Sequence, residues 1–122
     1  MELCRSKSRE GNMSVQAGTY RASFMTPLGA GTGVIVIQEG KARGGDSAMM
    51  YVGTYEEDDS SISAILTVTR HSNTPGIQSV FGVDNITAQF RGQVNGSLIE
   101  LRGSSPQAPG IEMRATLTRL AD

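Results

Sequence analysis

Residues 85–102 read NITAQFRGQVNGSLIELR, and their spacing decides the fold class. Ile86, Ala88, Phe90 and Val94 alternate with Thr87, Gln89, Arg91 and Gln93. A period of two sends one set to a core face and the other to water, the signature of a half-buried antiparallel strand. Asn95-Gly96 then supplies a strong hairpin signal, because a type I′ turn needs positive φ at both central residues. A turn centred there predicts that Val94 faces Ser97, Arg91 faces Glu100 and Phe90 faces Leu101. An apolar pair then falls inside and an ion pair outside.

The same rhythm extends in both directions. Ile62, Ala64, Leu66 and Val68 alternate with Ser63 and Thr67, with Ile65 as the exception. Ile111, Met113, Ala115 and Leu117 alternate with Glu112, Arg114, Thr116 and Thr118, and Tyr20, Ala22 and Phe24 give a weaker version. Glu39-Gly40 predicts a second turn that sets Ile37 opposite Ala42 and Val36 opposite Arg43. Prolines mark 74–76 and 104–110 as loops, since proline cannot donate to a central ladder. Strands are expected at 17–25, 31–38, 41–44, 48–56, 62–71, 85–94, 97–102 and 111–119. Ile77–Gly82 reads as a short strand, a 3₁₀ turn or a loop beneath Phe81. No window of a dozen residues carries a helical stripe. The expected fold is all-β: an antiparallel up-and-down meander of about eight strands that closes into a small barrel, with a β-sandwich as the alternative. Closure removes exposed edges, and the 15 glycines suit the bulges and corners of a small barrel.

Length and charge narrow the function. A chain of 122 residues fits one domain, expected over 13–122, and needs no metal or disulfide to stabilise its core. Residues 1–12 read as a polar tail, an upstream start or an expression remnant. They have no apolar h-region, and Cys4 alone forms no internal bridge, so the expected compartment is the cytoplasm. With 11 basic and 12 acidic residues the net charge is −1, which argues against direct nucleic-acid or membrane binding. Apolar runs such as Val34–Ile37 fall far short of a membrane-spanning helix.

Catalytic groups are sparse. His71 is the only histidine; it lies at a strand end, with no cysteine nearby to complete a zinc site, and reads as a surface or loop-capping residue. Gly29-Ala30-Gly31-Thr32-Gly33 superficially resembles a phosphate-cradling loop, but it runs into Val-Ile-Val-Ile instead of opening a helix. It therefore reads as a flexible connection or bulge. No enzyme, metal or cofactor is expected.

Two constellations remain. Glu56, Glu57, Asp58 and Asp59 are four consecutive carboxylates and are expected on an exposed loop between strands. That loop is either a solvated turn or an anionic docking epitope for a basic partner. A calcium site lacks its usual spacing. Tyr20, Met49, Met50, Tyr51 and Tyr55 gather on and around one strand and read as core. Tyr20, Phe24, Met49, Tyr51, Tyr55 and Phe90 also suit a lumen or an interface.

Gly18-Thr19-Tyr20, Gly44-Gly45-Asp46, Tyr51-x-Gly53 and the acidic run, in this order and spacing, resemble the GrlR-like family. These are small bacterial negative regulators of type III secretion genes, and the resemblance spans roughly residues 17–119. It implies a lipocalin-like eight-stranded barrel, a homodimer, and an acidic loop that acts on a partner transcriptional activator. The family's loop alternates Glu-Asp-Glu-Asp; Glu56-Glu57-Asp58-Asp59 keeps the charge and changes the order. The expected function is thus a regulatory protein-binding module, with a basic transcriptional regulator as partner. The alternative is a carrier or sensor of a small apolar ligand in the lumen. Phe24, Leu66, Phe90 and Met113 either fill that lumen or leave a cavity.

Overall fold

A computed structural model describes residues 15–72 and 85–122 of the chain. Eight antiparallel strands form in these stretches: β1 (Gly18–Thr26), β2 (Gly29–Gln38), β3 (Lys41–Gly45), β4 (Met49–Asp58), β5 (Ser61–Arg70), β6 (Asn85–Asn95), β7 (Leu98–Ser104) and β8 (Met113–Ala121). Each pairs with its sequence neighbours and β1 pairs with β8, so the meander closes into an up-and-down barrel. The closing ladder runs from Tyr20 opposite Arg119 to Met25 opposite Arg114, and its register shifts at Thr19/Tyr20. A sandwich is excluded, because no pair of strands is left as an open edge. The tail at 1–12, the loop at 74–76 and Ile77–Gly82 lie outside the described residues.

Alternation along the strands builds the interior. The even residues of β1, β5 and β6 and the odd residues of β2, β4, β7 and β8 face the lumen, including Tyr20, Ile35, Met49, Ile62, Phe90, Leu101 and Leu117. Ile65, which broke the pattern in sequence, stands on the outer face and is half exposed.

The Glu39-Gly40 turn forms as expected, with Ile37 opposite Ala42 and Val36 opposite Arg43. Both turn residues have positive φ, at 51° and 81°, as a type I′ turn requires. The β6–β7 hairpin differs from expectation. Asn95 pairs with Leu98, so the two-residue loop is Gly96-Ser97 and only Gly96 has positive φ. Arg91 consequently faces Arg102 and Glu100 faces Gln93, so the predicted ion pair does not form. Sliding the turn by one residue shifts the pairing by two, which preserves the inward set and leaves Phe90 opposite Gly103.

The Gly29–Gly33 run is not a flexible connection. It belongs to β2 and pairs continuously with β1, Thr26 opposite Gly29 through Ala22 opposite Gly33. Its glycines make room for aromatic neighbours. A Cβ on Gly31 would sit 2.8 Å from the Phe24 ring, and one on Gly33 would sit 2.7 Å from the Tyr51 hydroxyl.

One end of the barrel is sealed. Val15–Ala17 crosses it, tied by Val15 N–H donating to Glu57 Oε1 (2.7 Å) and by the Arg119 guanidinium donating to Ala17 O (3.0 and 3.2 Å). Beneath that segment the side chains of Tyr20, Val94 and Ile99 are fully buried, and Tyr20 donates its hydroxyl proton to Gln16 O (2.6 Å). At the opposite end the β7–β8 loop completes the β6 edge where β7 stops. Ser105 Oγ donates to Thr87 O (2.7 Å), and Thr87 N–H donates to Gln107 Oε1 (2.8 Å), so no ladder group of Thr87 is left unpaired.

Candidate functional site

The lumen is hollow. A cavity of about 500 Å³ runs inward from the end that carries the β1–β2 turn and the β3–β4 loop. Its origin is visible in the circumferential layers of side chains. One layer reads Tyr55–Ala64–Phe90–Gly103 across β4 to β7, and another reads Gly31–Phe24–Ala115–Leu101 across β2, β1, β8 and β7. Each aromatic neighbours a glycine or alanine. A Cβ on Gly103 would lie 2.3 Å from the Phe90 ring, so that ring rests on its small neighbour against the wall. Large residues alternate with small ones around each layer, and the rings leave the axis open.

Among the candidates drawn from sequence, Phe24, Met49, Tyr51, Tyr55 and Phe90 line this cavity. Tyr20 does not; it is the floor beneath. Met50 points outward and is exposed. Leu66 and Met113 share the wall with Phe24 and Phe90, so these four residues border the space without filling it.

Polar groups gather at the mouth. Asp46, in the β3–β4 loop, accepts the backbone N–H groups of Ala48 (2.9 Å) and Met49 (2.7 Å) on Oδ1. Its Oδ2 accepts the hydroxyl proton of Tyr51. The Tyr51 ring is held edge-on against Phe24, with centroids 6.1 Å apart at 89°. Burial pushes the Tyr51 phenol well above its ordinary range, and the Asp46 hydrogen bond and charge push it further. At the other end of the lumen, beside the β2–β3 turn, burial also raises the Tyr55 phenol, against a lowering hydrogen bond from the Gly40 backbone. His71 lies in the Asp46 corner; its Nε2 is 3.0 Å from Asp46 O, and its N–H donates to Ala48 O (2.8 Å). It is exposed and ties down the β3–β4 loop.

Sequence reasoning named neither Asp46 as a site residue nor the small lumen-facing residues. A signal for Asp46 was present: an aspartate directly after Gly44-Gly45 suits a turn in which its side chain accepts the next N–H groups.

The acidic run is only partly a loop. Glu56, Glu57 and Asp58 belong to β4, and Asp59-Ser60 forms the turn, with Asp58 opposite Ser61. A paired strand reaches further into the run than expected because Ile62, opposite Glu57, still finds the core. All four carboxylates are exposed, as expected. Alternation separates them, however: Glu57 leans over the sealed end onto Val15 N–H, while Glu56 and Asp58 project from the outer wall. Among the described residues no group of three or more His, Cys, Asp or Glu side chains could hold a metal ion. Among them, too, no helix is long and apolar enough to cross a membrane.

No family model matches the chain, and no curated protein matches it.

Proposed function

We propose that this chain is a non-enzymatic binding protein that takes a small apolar molecule into the barrel lumen. The observation that supports this reading is the cavity of about 500 Å³, lined mainly by Ile, Leu, Met and aromatic side chains. That size lies within the range of small-molecule sites, and the polar groups Asp46, Ser47 and Tyr51 lie together at the mouth. A filled core of the same fold would have no such space. The test is titration with the neutral fluorophore N-phenyl-1-naphthylamine. Ala64, between Tyr55 and Phe90 in one layer, is the residue to enlarge. The wild-type chain is expected to bind the dye with blue-shifted emission, and Ala64→Phe is expected to weaken binding about tenfold or more by occupying the lumen. Dye binding that ignores Ala64→Phe places the dye on the outer wall and removes the reading.

A second reading is a regulatory module acting on a basic partner through the acidic hairpin tip, as the GrlR-like resemblance implies. Exposure of Glu56, Asp58 and Asp59 favours it. The same reading includes a homodimer, and the exposed Val34, Val36, Met50 and Val52 on the outer face of β2 and β4 are compatible with one. Changing Glu56→Gln, Asp58→Asn and Asp59→Asn together is expected to leave the fold intact and slow association with a basic partner about tenfold, with salt sensitivity lost in step. Glu57 is kept out of the set because its bond to Val15 N–H supports the sealed end. Unchanged association rates across a salt series reduce the tip to a solvated turn.

A further inference from the structure

The polar corner of the lumen points to a ligand of particular head-group chemistry. This inference rests on the lumen-binding reading and asks which apolar molecules the cavity takes. Among the described residues that line it, Asp46 is the one charged side chain, and no Lys or Arg shares the wall. Both Asp46 oxygens are committed, Oδ1 to two backbone N–H groups and Oδ2 to Tyr51. The Tyr51 hydroxyl proton is therefore directed at Asp46 and turned away from any ligand. What Tyr51 offers the lumen is its oxygen lone pairs, an acceptor backed by a carboxylate.

We propose that the lumen selects apolar molecules that carry a hydrogen-bond donor, such as a hydroxyl or amino head, and rejects the matching carboxylates. A carboxylate brought to this corner meets no cationic side chain among the described lining residues; the Ser47 hydroxyl is a neutral donor there, and the Asp46 charge lies only one hydrogen bond away. In the partly dry lumen that repulsion is screened less than in water. An alcohol or ammonium head donates to the Tyr51 oxygen and keeps its apolar chain along Phe24, Leu66 and Phe90.

Two substitutions separate this from a cavity indifferent to head groups. In Asp46→Asn the amide oxygen still accepts from Ala48 and Met49, so the loop keeps its turn. The amide nitrogen then donates to the Tyr51 oxygen and frees the phenol proton to point into the lumen. In Tyr51→Phe the acceptor is lost but Asp46 Oδ2 is uncovered, so the corner stays anionic and the ring keeps its contact with Phe24.

The experiment displaces N-phenyl-1-naphthylamine from the full chain with 1-decanol, decylamine or decanoate at one pH. Circular dichroism of each variant confirms the barrel. In the wild-type chain decanol and decylamine are expected to displace the dye at concentrations about tenfold or more below decanoate. Tyr51→Phe keeps decanoate excluded, and Asp46→Asn brings decanoate level with decanol. Decanoate equal to or better than decanol on the wild-type chain overturns the proposal while leaving lumen binding standing. A wild-type preference that survives Asp46→Asn also overturns it, since the selection then arises elsewhere. Failure of the dye to enter the wild-type lumen sinks both readings together.

Discussion

Replacing Phe90 by alanine is expected to destabilise the barrel by about 3 kcal/mol, the low end of the range for a buried aromatic. Phe90 is 4% exposed. Its ring lies against Gly103 on one strand, with Ala64 beside it on the other, and neither neighbour carries a side chain long enough to fill the space the ring would leave. The low end applies because part of the ring already borders an open cavity, so fewer packing contacts are lost than in a filled core. Gln89, one residue away, faces outward, and Gln89→Ala is expected to stay within about 0.5 kcal/mol. Urea unfolding of both variants measures the contrast. Equal losses at the two positions would mean that side-chain alternation does not control the stability of β6.

The contrast between these neighbours was legible in the sequence, whereas the register of their hairpin was not. Hydrophobic alternation distinguishes inward from outward but cannot distinguish registers that differ by two, since both keep Phe90 and Leu101 inside. Asn95-Gly96 and Gly96-Ser97 are each acceptable two-residue turns, and the second is adopted. Strand identity was therefore readable for all eight elements while one pairing was misjudged. The site shows the same division. Phe24, Met49, Tyr51, Tyr55 and Phe90 were recognisable as lumen candidates from their residue types and alternation. Whether they filled the lumen depended on which small residue stood beside each ring. Gly103 beside Phe90 and Gly31 beside Phe24 are neighbours only through the ladder, so the cavity emerges once register is known. Asp46 was hidden for a related reason, because its bond to Tyr51 joins a loop residue to the wall of the following strand. The acidic run misled in the opposite direction: four carboxylates suggested a loop, yet the pairing of Glu57 with Ile62 extends the strand beneath three of them.

The phenols make the second strong prediction, a steep loss of stability in alkali. Burial raises the phenol of Tyr20, with the Arg119 charge opposing; burial and Asp46 together raise that of Tyr51; burial raises that of Tyr55. In the unfolded chain these groups titrate near the ordinary value of 10.0. A phenol whose native pKa is raised keeps its proton after the unfolded chain has lost it. The unfolded state then binds fewer protons than the native state, so stability falls as pH rises and is fully present below about pH 10. Each phenol still protonated in the barrel removes about 1.4 kcal/mol per pH unit above that point. Tyr51, with a carboxylate holding its proton, is the last to yield. Urea midpoints measured from pH 8 to pH 11 are expected to stay level up to about pH 9.5 and then drop. Tyr51→Phe has no phenol to titrate, so its alkaline limb is expected to be shallower by about 1.4 kcal/mol per pH unit, despite a lower starting stability from the lost Asp46 bond. Parallel limbs for the two chains would mean that Tyr51 gives up its proton in the native barrel as readily as in the unfolded chain. The lone pairs assigned to its ligand-facing side would then belong to a phenol in contact with water, and the Asp46–Tyr51 corner would be open to solvent instead of forming the wall of a dry site.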